Sequence, residues 1–182
     1  MIRRYGEEIP IDMQLLTPEN RAYTENFFCD NPSIDHYFQE LAPYDATAVT
    51  YLFIDTEYDC PVACVTLACS AIFYKHDEEV DQFSTILSAM EIKYFAVDES
   101  YKHLPYKRKS PLTLSYYILV YMLKIMRDLS HNSVGAAKVV LYSVPEAVRF
   151  YKRCKFKEFG ETMYGDEGSY VDGCVPMYFD LN

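Results

Sequence analysis

Residues 147–156 read AVRFYKRCKF, a phenylalanine–tyrosine pair in a stretch that also carries Arg149, Lys152, Arg153 and Lys155. A phenol with an ordinary pKa near ~10 keeps its proton at neutral pH, so Tyr151 can donate a proton and cannot accept one. The cations around it suit an anionic ligand. A plainer account also fits: Tyr151, one of 18 tyrosines, is a packing residue, and the lysines and arginines form a solvated face. A second basic window, KHLPYKRK at 102–109, holds four Lys and Arg residues, and RFYKRCKFK at 149–157 holds five, so about half of the chain's 17 occupy two short stretches. The net charge of −10 argues against general nucleic-acid binding, which comes chiefly from cations neutralising phosphates. Local anion sites remain open.

Metal and disulfide chemistry have little support. The six cysteines, at 29, 60, 64, 69, 154 and 174, form no CxxC pair, and the four histidines do not cluster with them at zinc spacing. Reduced, mostly buried thiols and no structural metal are expected.

These residues need a scaffold. At 182 residues and 50% hydrophobic, the chain suits one well-packed domain over residues 1–182. No apolar run reaches the ~20 residues of a membrane span, and no apolar signal region follows Arg3 and Arg4, so a soluble, cytoplasmic protein is expected. A strand is predicted near Asp12 to Leu16, then a helix over PSIDHYFQELA with Asn31 or Ser33 as cap. AVTYLFID (48–55) and PVACVTLACSAIFY (61–74) predict a hairpin across TEYDC. HDEEVDQFSTILSA is ambiguous, and MEIKYFAVD (90–98) predicts a central strand. Ser110 is the expected N-cap, and Pro111 the first residue, of a long helix over LTLSYYILVYMLKIMRDLS. That helix is apolar nearly all round until Lys124 and should be buried. A strand over 136–144, a helix starting at Pro145 and a strand pair in the tail complete a mixed α/β order, with parallel pairing in the second half.

In that order three segments resemble the GNAT superfamily of acyl-CoA-dependent N-acetyltransferases, over about residues 10–175. EIKYFAVD is similar to the family's fourth strand, AVRFYKRCKF to its late pattern Ala-x-x-Phe-Tyr-x-x-x-Gly-Phe, and FFCDNPSIDHYFQELA to a stretch of the GNAT toxins of bacterial toxin–antitoxin pairs. The resemblance implies a single-domain α/β fold with a mixed, mostly antiparallel central sheet flanked by helices and a splayed fourth strand. It implies acetyl-CoA as cosubstrate, the backbone of Phe95, Ala96 and Val97 holding the pantetheine arm, and Tyr151 protonating the departing thiolate. Glu91 matches a glutamate that serves as general base in histone acetyltransferases; its alternative is a surface carboxylate at a strand end. Asp35 either shapes the acceptor side or orients its helix through a local turn.

Two departures stand out. Where the family's phosphate loop is glycine-rich, YKHLPYKRKSPLTL has no glycine and is longer, and Lys155 replaces the glycine before Phe156. In place of glycines, a pyrophosphate near Ser110 would meet orphan N–H groups at a helix start, with Arg108 and Lys109 adding charge-assisted contacts. The resemblance thus points to transfer of an acetyl group to a primary amine, on aminoacyl-tRNA, a protein or a small molecule. It also implies an antitoxin as partner and a homodimer as a candidate assembly. A non-catalytic GNAT-scaffold binding protein with a degenerate acetyl-CoA loop is the alternative.

Overall fold

The computed structural model describes residues 8–75, 83–107, 110–165 and 173–181. They fall into two compact units, Met1–Leu67 with Tyr94–Val120, and Ala68–Lys93 with Tyr121–Asn182. Eight strands follow the ladder order β1-β2-β3-β4-β5-β8-β6, numbered along the chain, with β7 on β3. This is the mixed, mostly antiparallel sheet with helices that the sequence predicts. No described helix is long and apolar enough to cross a membrane.

In the first unit, β1 (Ile11–Leu15) pairs antiparallel with β2 (Ala48–Asp55), from Ile11↔Asp55 to Leu15↔Tyr51. β2 turns into β3 (Cys60–Lys75) as the hairpin pattern requires, with Asp59 at φ 50 in the turn. Asn31 caps α1 (Pro32–His36): its side-chain oxygen accepts from the Ser33 N–H at 3.2 Å and the Ile34 N–H at 3.3 Å, and proline holds the first helical position. The chain stays helical through Leu41 in wider turns. The aromatic residues of this stretch bury themselves as their spacing predicts. Phe38 meets Phe27 edge-on at 5.4 Å, and Tyr37 lies against Tyr94 at 4.2 Å. Leu16, Leu52, Ile54, Cys64 and Ala96 complete that core.

β4 (Phe83–Val97), in the second unit as far as Lys93, begins well before the predicted Met90; Ser84, Thr85 and Ser88 break the apolar pattern by which its centre is recognised. Residues 76–82 of the ambiguous segment lie outside the described residues. β4 pairs in parallel with β5 (Lys138–Ser143) over three positions, Ala89↔Lys138, Met90↔Val139 and Glu91↔Val140. β4 runs on to Val97, and β5 is paired along its whole length with antiparallel β8 (Val175–Asp180). The tail supplies three strands rather than two: β6 (Lys157–Glu158) on β8, β7 (Met163–Gly165) on β3, and β8 itself. A Cβ at Gly165 would sit 1.8 Å from the Tyr142 hydroxyl, so a larger residue there requires that side chain to move.

The long helix α2 runs Leu114–Leu129, three residues later than predicted. Thr113 is its cap, accepting from the Tyr116 N–H at 3.3 Å through Oγ1, whereas the Ser110 hydroxyl closes a local turn with the Leu112 N–H at 3.1 Å. Its burial is also one-sided. Leu114, Ile118, Leu119, Met122, Leu123 and Met126 form a buried stripe at helical spacing, and Val120 and Tyr121 face solvent with Lys124.

Candidate functional site

Tyr151 sits on α3 (Val148–Arg153), reached from β5 through a helical turn at Pro145–Ala147. Its side chain is 9% exposed, with the Phe150 ring at 5.2 Å and the Phe156 ring at 5.6 Å, both edge-on. Burial pushes the phenol's pKa well above its ordinary value, and Cys154 adds to the rise. The group is therefore a proton reservoir at any physiological pH.

The end of α3 is fixed by a double backbone clasp. The Phe156 N–H donates to the Tyr151 carbonyl at 3.1 Å and the Lys155 N–H to the Lys152 carbonyl at 3.0 Å, the two bonds of a Schellman cap. The cap requires a left-handed residue at 155, and the lysine adopts φ 72. Cys154, buried beneath it, has a thiol pushed up to about 11 by burial and is no nucleophile near neutral pH. Of the exposed cations here, Lys152 pairs with Glu158 at 2.7 Å and Lys157 with Asp180 at 2.9 Å. Arg149, Arg153 and Lys155 make no ion pair among the described residues.

Glu91, in the same unit as Tyr151, is 4% exposed and stands opposite Val140 in the parallel ladder. That burial rules out the surface carboxylate given as its alternative.

The first unit holds the other expected residues. Phe95, Ala96 and Val97 end β4, Ala96 and Val97 buried and Phe95 half-buried. The next residue, Asp98, organises the turn beyond the strand. Its N–H continues the sheet to the Val62 carbonyl at 2.8 Å, and one carboxylate oxygen accepts from the Ser100 N–H at 3.0 Å and the Ser100 hydroxyl at 2.6 Å. The other accepts from the Phe28 N–H at 3.2 Å. The Phe28 carbonyl in turn accepts from the Glu99 N–H at 2.8 Å, and the Cys29 carbonyl from Lys102 Nζ at 2.7 Å. Asp35, buried, accepts the remaining donor, the Cys29 N–H, at 2.7 Å. Its local role is therefore realised. Burial, reinforced by Asp35, pushes the Cys29 thiol up to about 12. Every backbone polar group of Phe28 and Cys29 is thus tied to the strand end or to α1. Sequence reasoning missed Asp98, although Asp-x-Ser directly after a strand is the signature of such a side-chain turn.

The loop between β4 and α2 differs from expectation. The Leu114 N–H donates to the Leu104 carbonyl at 2.8 Å and the Tyr106 N–H to the Leu112 carbonyl at 3.3 Å, so the chain before α2 doubles back on itself. Tyr106 and Tyr117 stack at 3.7 Å and 7°. With Leu114 and Tyr116 committed, Ser115 carries the one N–H of the first three in α2 with no partner among the described residues. The orphan donors expected beside Ser110 are largely taken, because Thr113 rather than Ser110 begins the helix. Lys107 is exposed; Arg108 and Lys109 lie outside the described residues.

No protein-family profile and no curated protein matches the chain. Solved structures do. One described as a bacterial toxin matches at 16% identity with a TM-score of 0.74, over 94% of this chain and 91% of its own. AtaT complexed with acetyl-methionyl-tRNAfMet matches at 13% and 0.68, over 94% and 95%. A tyrosine-to-phenylalanine mutant of AtaT, bound to the C-terminus of the antitoxin AtaR and acetyl-CoA, matches at 11% and 0.67, over 94% and 93%. The chain has the GNAT fold that these toxins share.

Proposed function

We propose that the protein is an acetyl-CoA-dependent N-acetyltransferase that acts on a primary amine by direct attack. The observation that carries this reading is Tyr151: a buried phenol, held protonated, on the helix that follows β5 in a GNAT fold. The thioester supplies an activated acetyl group and a thiolate leaving group. The chain's part is to position and to move protons. Tyr151 Oη holds the proton that a departing thiolate, of pKa near ~8.5, needs to leave readily at neutral pH. Glu91 is assigned the proton of the attacking amine. The backbone of Phe95, Ala96 and Val97 is assigned the pantetheine arm, and Arg108, Lys109 and Ser110 the phosphates. The acceptor we favour is the aminoacyl group of a charged tRNA, in line with the AtaT complex, with the exposed Arg149, Arg153 and Lys155 toward nucleic-acid phosphate. A small antitoxin protein that neutralises the activity in the cytoplasm belongs to the same reading.

The test is thermal melting with acetyl-CoA, desulfo-CoA and ATP. A ligand at 100 times its dissociation constant adds ~2.7 kcal/mol, which for a chain of this size is about 5–10 °C. A saturable shift with both CoA compounds and none with ATP is expected. Tyr151→Phe should keep that shift and lower the rate of free-thiol release, with an amine acceptor, by ~10²-fold or more. No shift at millimolar acetyl-CoA refutes the reading.

A further inference from the structure

In the first unit, three consecutive residues, Phe27, Phe28 and Cys29, have all of their backbone polar groups bonded. The Phe27 N–H donates to the Thr24 carbonyl at 3.1 Å, and the Phe27 carbonyl accepts from Gln39 Nε2 at 2.8 Å. Phe28 and Cys29 are tied to Asp98, Glu99, Asp35 and Lys102 by the bonds described above. Side chains alternate along this fixed segment: Phe27 and Cys29 are buried, whereas Phe28 is 51% exposed and Asp30 is exposed. The Phe28 ring makes no ring contact among the described residues. Asp30 ends the segment at φ 64. Glycine adopts that conformation without a Cβ contact, so the aspartate is kept at a cost in strain, and strain of this kind concentrates at binding sites. Its carboxylate has no hydrogen bond or ion pair among the described residues. Lys102, the cation bonded to this segment, is neutralised by Glu99 at 2.5 Å. The segment therefore presents a rigidly held apolar ring and an uncompensated negative charge.

Phe28 is bonded to Asp98 and Glu99, the two residues that follow Val97, whose backbone is assigned the pantetheine arm. We propose that Phe28 and Asp30 select the acceptor amine. The ring contacts an apolar group beside the amine, and the carboxylate favours a cationic acceptor and repels one that carries a carboxylate of its own. The acceptor is then a primary amine next to an apolar side chain, with the neighbouring carboxyl group blocked as an ester or amide. The aminoacyl ester of a charged tRNA meets these conditions when its side chain is apolar; a free amino acid or an acidic side chain does not. An aromatic ring whose backbone is immobile before binding is an effective anchor, because little freedom remains to be lost. The charge of Asp30 acts over several ångströms and need not touch the amine, which must shed its proton before it attacks. This inference rests on the acyl-transfer reading and names its acceptor.

The test is a chemical-shift titration of the isotope-labelled protein with leucinamide, serinamide and leucine, each with and without saturating desulfo-CoA. Desulfo-CoA that causes no shifts refutes the acyl-transfer reading, whereas the amine titrations test the Phe28 and Asp30 pair itself. Leucinamide should move the amide signals of Phe28, Cys29 and Asp30 and bind about tenfold more tightly than serinamide, the difference expected for partial burial of an apolar side chain. Phe28→Ala should weaken leucinamide about tenfold, and Phe28→Leu should recover most of the affinity. Asp30→Asn should narrow the preference for leucinamide over leucine by about two- to threefold, as should high salt. Both positions are exposed, so the melting temperature should hold in all three variants. Equal binding of the three amines, or shifts confined to other residues, overturns the proposal. So does a Phe28→Ala variant that binds leucinamide as well as the unmodified protein does.

Discussion

Lys155→Gly should make the protein more stable, and the size of the gain follows from the cap of α3. Position 155 must be left-handed, because only that turn lets the Phe156 and Lys155 N–H groups reach the carbonyls of Tyr151 and Lys152. An L-residue there suffers the contact between Cβ and the following carbonyl oxygen, about 1–2 kcal/mol. Glycine removes that contact but loses about 0.5–1 kcal/mol more backbone entropy on folding. The net gain is about 0.5–1 kcal/mol, or a melting temperature higher by roughly 1–4 °C for a chain of this length. Lys155→Ala is the control, since it deletes the charge and keeps the Cβ. Both variants are measured by circular dichroism on heating. If Lys155→Ala stabilises as much as Lys155→Gly, the penalty comes from crowding with Arg153 and Lys152, and the backbone argument is wrong. A fall in stability with Lys155→Gly refutes it outright.

Thr113→Ala should cost about 1 kcal/mol through loss of the helix cap, whereas Ser110→Ala should cost much less; chemical denaturation of the two variants separates them. Under the proposed function, the committed backbone donors at the start of α2 leave phosphate binding to exposed cations such as Lys107, whose attraction salt screens. Calorimetric affinity for desulfo-CoA should then weaken steeply between about 0.05 and 0.5 M salt, within the range where the Debye length shrinks from above ~10 Å toward ~3 Å, and a flat profile contradicts the assignment. If Tyr151 is the general acid of the proposed function, its raised pKa sets the shape of the pH–rate profile: burial favours the neutral phenol, so its donor form persists above the ordinary value. With an α-amine acceptor the rate should climb as the amine loses its proton near pH ~8 and should not fall by pH ~10, where an unperturbed phenol would be half ionised.

What could be read in advance divides along physical lines. Periodicity exposed the β2–β3 hairpin, the Asn31-capped helix and the apolar centre of β4, because each buries one regular face. It failed at the start of β4, where serines and threonine dilute the alternation, and at the start of α2. There Ser110-Pro111 has the composition of a helix start, yet the hydrogen bonds of Leu104 with Leu114 and Tyr106 with Leu112 keep those residues in a turn outside the helix until Thr113. Tertiary hydrogen bonds overrode a local signal of the usual strength. The role of Asp98 was hidden for a related reason: its partner Phe28 is 70 residues away.

The two places where this chain departs from the glycine pattern have a common consequence. Glycine in a phosphate loop lets an anion approach backbone N–H groups closely, and glycine after a helix permits a left-handed cap without strain. Here the loop carries Lys107, Arg108 and Lys109 and spends helix-start donors on Leu104 and Thr113, and the cap is made by a strained, exposed lysine beside Arg153. In the loop a short-range, geometry-specific donor gives way to side-chain charge that acts at longer range, whereas at the cap of α3 both backbone bonds are kept and a charge is added. Under the proposed function, a flexible cation can follow a phosphate group that a fixed N–H cannot. The retained strain at Lys155 is the cost of keeping a charge at that point.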